Sequence, residues 1–177
     1  MDAERFWRIL EEARPPDHSP QDNWFDALKA RLRALEPAEI LEFRRKFDER
    51  VGAAYRLDLW GAGYLINGGC SDDGFHYFRC WLVGMGREVY ERALENPDSL
   101  ADVLTGEWPL EAALDAAPDR AWEEKTGRTD VEFYEELDRV ADEAKEVDEG
   151  DDWDFDDNEE VRRRFPRLAA LYLEDED

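Results

Sequence analysis

The stretch LWGAGYLINGGCSDDGFHYFRCWL, residues 59–82, decides how the rest of the chain is read. Its first part, with the preceding AAYRLD, has no continuous polar face, as expected of a helix at the centre of a bundle. Gly61, Ala62 and Gly63 would let a neighbouring backbone come close, and Gly68-Gly69 supplies the left-handed residues that end a helix. Ser71 then caps a second helix, with Asp72 and Asp73 in its first turn, where free N–H groups and the helix dipole favour negative charge. Phe75, Phe78 and Leu82 form one apolar stripe of that helix and Tyr77 and Trp81 another, so it is contacted on two sides. Gly84 and Gly86 end it.

Helical spacing continues outward in both directions, while strand-like alternation is nearly absent. The expected fold is all-α: a single-domain irregular helical bundle with an acidic C-terminal extension. A first helix starts behind Asp2 and buries Phe6, Ile9, Leu10 and Ala13, with Pro15-Pro16 as its stop. A second starts at Ser19 and Pro20 and turns Trp24, Leu28, Leu32 and Leu35 inward. From Pro37 a third offers Ile40, Phe43, Phe47 and Val51, and either runs on or kinks near Gly52. Residues 87–94 give another helix, and Asp98 or Ser99 caps a short one through Leu104. The pattern weakens over residues 105–127, which read as short turns laid over the core, anchored by Trp108 and Trp122. A helix from Thr129 or Asp130 to about Val147 follows.

Residues 146–160 hold ten acids and no base, the composition of a solvated, mobile linker. Trp153 and Phe155 inside the run carry two readings: an acidic segment with aromatics can dock on a basic partner or mimic a nucleic acid's charge, or the two rings pin the linker to the body. The run is no EF-hand, since Asp157 stands where the turn needs glycine and Arg163 where glutamate should close the loop. Asn158 is the expected cap of a last helix carrying Val161, Phe165, Leu168 and Leu171, with Pro166 kinking or restarting it. Two parts are expected: residues 1–129, and C-terminal helices over 130–177 joined by the acidic linker.

The chain has 177 residues, a net charge of -24 and a hydrophobic fraction of 42%, enough for one packed core. That charge argues against nucleic acid and anionic membrane surfaces as partners, because binding there depends on neutralising phosphates. No stretch approaches the roughly 18 apolar residues of a spanning helix, and the acids behind Met1 do not suit a signal peptide. A cytoplasmic protein is expected, with Cys70 and Cys80 as small buried thiols rather than a disulfide or a zinc pair.

Candidate chemistry gathers around residues 67–81. Asp72 and Asp73 lie four and three residues before His76, so either carboxylate could orient the imidazole or share a metal with it. Arg79 lies on the turn after Asp72, where it could pair with either acid. No nucleophile elbow, HExxH, P-loop or GxGxxG accompanies them, and His18 is far away in sequence. Capping and ion pairing is the leading reading, ahead of ligand or partner binding and of catalysis, and no metal site or cofactor is expected.

These same residues resemble a bacterial family known as domain of unknown function 4240. The resemblance rests on Phe6-Trp7, on LWGAGY at residues 59–64, on INGGCSDDGFHYFRCWL at residues 66–82, and on the spacing of Gly86, Ala93, Pro97, Asp98 and Leu100. It spans roughly residues 1–129, with Gly63 where alanine is usual and His76 in a variable slot. It implies a location for a site and no reaction. The working set it suggests is Asn67, Ser71, Asp72, Asp73, Tyr77, Arg79 and Trp81, with Trp60 and Tyr64 as walls. Charge favours a protein-interaction or regulatory module that recognises a protein with a basic surface. The alternative is a small-molecule- or metal-dependent, hydrolase-like enzyme built on the SDD motif, which requires Asp72, Asp73 and Arg79 to converge. Nucleic-acid mimicry by the acidic run is a third possibility.

Overall fold

The computed structural model describes residues 1–14, 23–104, 114–140 and 148–173, which contain helices, turns and loops and no strand. The expected Pro15-Pro16 stop, the Ser19-Pro20 start, the Trp108 anchor and the helix end near Val147 lie outside these residues. Asp2 accepts from the Arg5 N–H and opens α1 (Ala3–Ala13), which buries Phe6, Trp7, Leu10 and Ala13. Helix α2 (Asn23–Arg33) adds Trp24, Leu28 and Leu32 to the core. Pro37 occupies the first turn of α3 (Pro37–Ala53), where its missing N–H costs nothing, and Ile40, Phe43, Phe47 and Val51 point inward.

The chain does not run on from α3 into the next helix. Ala54 closes α3, Arg56 is extended, and its guanidinium bonds both the Leu94 carbonyl and Asp58. Helix α4 (Leu57–Asn67) is therefore separate, and it buries Leu59, Gly61, Ala62, Gly63, Leu65 and Ile66. Gly68, at φ 63°, turns the chain out of α4, and the Gly69 N–H returns to the Tyr64 carbonyl. Ser71 accepts from the Gly74 N–H and begins α5 (Asp72–Gly84), whose Phe75, Phe78, Cys80, Trp81, Leu82 and Val83 are buried. Each fully buried side chain of this size stabilises the fold by about 1.5–3 kcal/mol.

After α6 (Arg87–Glu95) a 3-10 turn, Pro97–Asp102, is capped by Asn96 rather than by Asp98 or Ser99. Asp98 serves elsewhere: it accepts from the N–H groups of Arg167 and Leu168, at the start of α10. A second 3-10 turn, Leu114–Ala116, leads into α7 (Ala117–Thr126). Short turns over the core were expected here. Instead α7 is a ten-residue helix packed on α2 and α3, held by Ala117, Ala121 and Trp122. Alanine-rich faces allow such close approach without producing a strong apolar stripe, which is why the pattern reads as weak. Helix α8 (Asp130–Val140) lies on α7 and α3, with Phe133 edge-on to Trp122.

The described part of the acidic run is not a free linker. Its Glu149 carbonyl accepts from the Leu57 N–H, Trp153 lies on Gly61, and Tyr64 donates to Asp156. Trp153 on Gly61 and Phe155 against Trp60 and Tyr64 match the pinning of this segment to the body. Asp157, not Asn158, caps α9 (Asn158–Arg164), and Pro166 restarts the chain as α10 (Pro166–Tyr172). Val161, Phe165, Leu168 and Ala169 join the same buried cluster as Phe6, Phe47 and Phe78. These helices thus close the core laid down by the rest of the chain.

Candidate functional site

The residues singled out around the SDD motif do not form one cluster. Ser71, Asp72 and Asp73 are exposed at the start of α5, and Asn67 is half-buried at the end of α4. Arg79 points the other way: it is 8% exposed, and its Nη1 donates to the Val51 carbonyl at 2.9 Å and its Nε to the Phe75 carbonyl at 3.3 Å. The rings of Tyr55 and Phe75 lie 4.8 Å from its guanidinium carbon. The expected pairing of Arg79 with Asp72 or Asp73 is thus replaced by burial against the end of α3. The reason is geometric as well as electrostatic. Val51 belongs to the last turn of α3, whose free carbonyls and negative dipole end attract a cation. Trp81 is 2% exposed and belongs to the core, while Tyr77 is 40% exposed and lies beside His76.

Trp60 and Tyr64 line a depression that holds none of the SDD-motif residues, and the wall opposite them comes from the acidic run. Trp60 stacks on Phe75 at 4.7 Å, and its Nε1 donates to the Cys70 carbonyl, tying α4 to the loop before the SDD motif. Phe155 meets Tyr64 at 5.7 Å and Trp60 at 6.5 Å, and Trp153 meets Phe155 edge-on at 4.8 Å. Leu57, Trp60, Tyr64, Trp153 and Phe155, with Asp152, Asp154 and Asp156, enclose a shallow depression of about 300 Å³. Nothing in the sequence before Leu57 or around the SDD motif announces this neighbour, which lies some ninety residues on. Asp156 and Asp154 push the Tyr64 hydroxyl above its ordinary pKa, and Arg164 lies 4.8 Å over the Trp153 ring.

A second grouping lies along another row of side chains on α5. His76 and Cys80 are one helical turn apart, so they share a face. His76 Nε2 is 3.0 Å from Asp115 Oδ2 and 3.5 Å from Cys80 Sγ. The expected partner of His76 was Asp72 or Asp73; Asp115 takes that place, brought in by the second 3-10 turn. Sequence reading missed it because thirty-nine residues separate the two and no motif links them. Arg44 of α3 donates to the Asp115 carbonyl at 2.5 Å and is paired with Asp48. The imidazole beside it holds the Asp115 carboxyl below its ordinary pKa, against the effect of partial burial. Burial pushes the Cys80 thiol far up, and pushes Cys70 up to about 11 with help from Asp72. Neither thiol is a ready nucleophile.

The trio is not a Cys-His-Asp relay. In such a relay the acid holds one imidazole nitrogen and the nucleophile the other. Here Sγ and Oδ2 meet the same nitrogen, so no proton can pass through the ring between them. Three donor atoms converge on one point instead, all within 4.8 Å of one another.

The family described as "protein of unknown function (DUF4240)" matches residues 1–147, a longer span than the 1–129 expected from the motifs, so the acidic run from residue 148 lies beyond the match. No curated protein and no solved structure matches the chain. Among the described residues no helix is long and apolar enough to cross a membrane.

Proposed function

Because the chain belongs to the DUF4240 family, whose description names no activity, we propose a function from geometry: it is a protein-interaction module that receives a basic segment of a partner protein. The observation that carries this reading is the depression between α4 and residues 152–156, with aromatic rings as its walls and Asp152, Asp154 and Asp156 around it. Ring faces and carboxylates attract a lysine or arginine side chain together, and a cation over tryptophan or tyrosine gains most where water is partly excluded. Arg164 over Trp153 is an arrangement of this kind within the chain itself. The net charge of -24 supports the same reading, since a strongly acidic protein draws a cationic partner in quickly at low salt.

The hydrolase-like alternative at residues 71–73 needs Arg79 beside the two acids. Its guanidinium is committed to the Val51 and Phe75 carbonyls, so that reading is not carried forward.

The test is calorimetric titration of the full chain with arginine- and lysine-rich peptides at low and high salt. Binding should weaken with salt, and Asp152→Asn with Asp154→Asn should weaken it at least threefold while leaving the helical signal intact. A chain that binds no basic peptide at low salt, or whose double variant binds unchanged, would remove the support for this function.

A further inference from the structure

We propose that His76, Cys80 and Asp115 are the protein ligands of a divalent transition-metal ion of the zinc class. The site is distinct from the aromatic depression and from the SDD motif. Its first support is the conflict at one nitrogen. If Nε2 carries the proton, it can donate to Asp115, and Cys80 is left to compete for the same hydrogen. If Nε2 is bare, it can accept from the Cys80 thiol, and its lone pair then faces the Asp115 carboxylate. No neutral tautomer satisfies both neighbours with a full hydrogen bond. A cation at the point where the three atoms converge uses all three lone pairs at once.

One of the three distances already matches that use, and the other two depend on how the Asp115 carboxylate is turned. A tetrahedral zinc ion with ordinary bonds to nitrogen, sulfur and oxygen keeps its ligand atoms about 3.3–3.6 Å apart. Nε2 to Sγ is 3.5 Å and Nε2 to Oδ2 is 3.0 Å, with the third separation no more than 4.8 Å. Rotation of the Asp115 carboxylate is the adjustment that would close the set. A thiolate, an imidazole and a carboxylate together suit zinc or cobalt, whereas magnesium and calcium prefer oxygen alone.

The surroundings hold Asp115 in place. Arg44 fixes the Asp115 backbone through its carbonyl, which orients the side chain without competing for its oxygens. Asp48 lies within electrostatic reach of Asp115, His76 and Cys80 and balances the charge of Arg44, with which it is paired. Cys80 seals the inner side with its thiol buried, while the His76 side chain is 42% exposed, so solvent reaches the metal position from the imidazole side. Three protein ligands and an open fourth position taken by water follow from that asymmetry. On binding, the Cys80 S–H proton leaves to solvent as the sulfur–metal bond forms, with no change of oxidation state.

Cobalt(II) titration of the full chain tests the site, because a thiolate ligand gives a charge-transfer band in the near ultraviolet and tetrahedral geometry gives intense visible bands. One cobalt per chain should bind with both signatures, and zinc should displace it. Cys70→Ser should keep the bands, Cys80→Ser should lose the thiolate band, and Asp115→Asn should weaken affinity about tenfold or more. Absence of a thiolate band in the native chain, or its survival in Cys80→Ser, would overturn the site. Should Cys80→Ser lose its helical signal, Asp115→Asn decides: unchanged cobalt affinity in that folded variant overturns the site equally.

Discussion

The indole of Trp153 occupies the space in which Gly61 would carry a Cβ. The contact joins the acidic run to the buried centre of α4 across more than ninety residues of chain. It explains why a glycine stands mid-helix, where it costs about 0.5–1 kcal/mol relative to alanine. The absent methyl is the seat of the ring, and the ring in turn packs on Phe155 and Phe165 and under Arg164.

Gly61→Ala should therefore destabilise the protein, although the same exchange in an unobstructed helix would stabilise it. The expected loss is about 2 kcal/mol, accompanied by faster proteolysis after residue 148 and a shift in tryptophan fluorescence. In a Trp153→Ala background, Gly61→Ala should become neutral or mildly stabilising. Denaturant titration of the four chains measures this coupling, and additive effects would contradict the contact.

Burial of Arg79 leads to a second expectation. Arg79→Met removes a charged donor from two buried carbonyls and should cost about 2–3 kcal/mol. Asp72→Asn and Asp73→Asn, on the exposed first turn, should each cost no more than about 1 kcal/mol, the helix-dipole contribution. Arg79→Lys should not rescue, because a single ammonium cannot span both carbonyls and both rings. Equal losses at Arg79, Asp72 and Asp73 would restore the paired arrangement in place of the buried one.

Asp98 provides a third. Its carboxylate takes the first N–H groups of α10, and Asp98→Ala should cost about 1–2 kcal/mol. Hydrogen exchange should accelerate first at Arg167 and Leu168, with α1 and α3 little affected. Asp98→Asn should retain most of the protection.

The acid limb of stability should depend on Asp102. Hydrogen bonds from Arg167 and then Arg92 hold its pKa at about 2, below the ordinary 3.8. A carboxyl lowered in this way stabilises the folded chain above the unfolded value, and that contribution is lost as pH falls from about 4 to about 2. Thermal melts between pH 5 and pH 2 should show a shallower decline for Asp102→Asn than for the native chain. Parallel curves would mean that the bridge contributes nothing, as exposed pairs sometimes do.

Local chemistry carried much of this in the sequence. The helical class, the Asp2 and Ser71 caps, the turn at Gly68-Gly69, the restart at Pro166 and the inward stripes of α1, α3 and α5 all depend on neighbours within about four residues, and those are written in order along the chain. Caps shared between adjacent polar residues were less certain: Asn96 and Asp157 did the work expected of Asp98 and Asn158. Between running on and a kink near Gly52, the choice at the end of α3 stays open in the sequence, and the length of α7 is missed, because both depend on what the segment packs against.

Which residues meet across the fold was decided by tertiary packing alone. Arg79 and Asp72 are seven residues apart, near enough for pairing to be drawn on paper, yet desolvation and the open carbonyls of α3 draw the arginine inward. His76 finds Asp115 rather than its near neighbours because the 3-10 turn at Leu114–Ala116 crosses that face of α5. Acidic composition suggested a solvated linker, and the packing of Trp153 on Gly61 and of Phe155 against Tyr64 and Trp60 outweighed it. Helix starts, stops and faces follow from short-range sterics and periodicity that one strand of letters contains; the partners of a buried charge or a donor atom are set by which surfaces exclude water together, and only the folded chain brings those surfaces into contact.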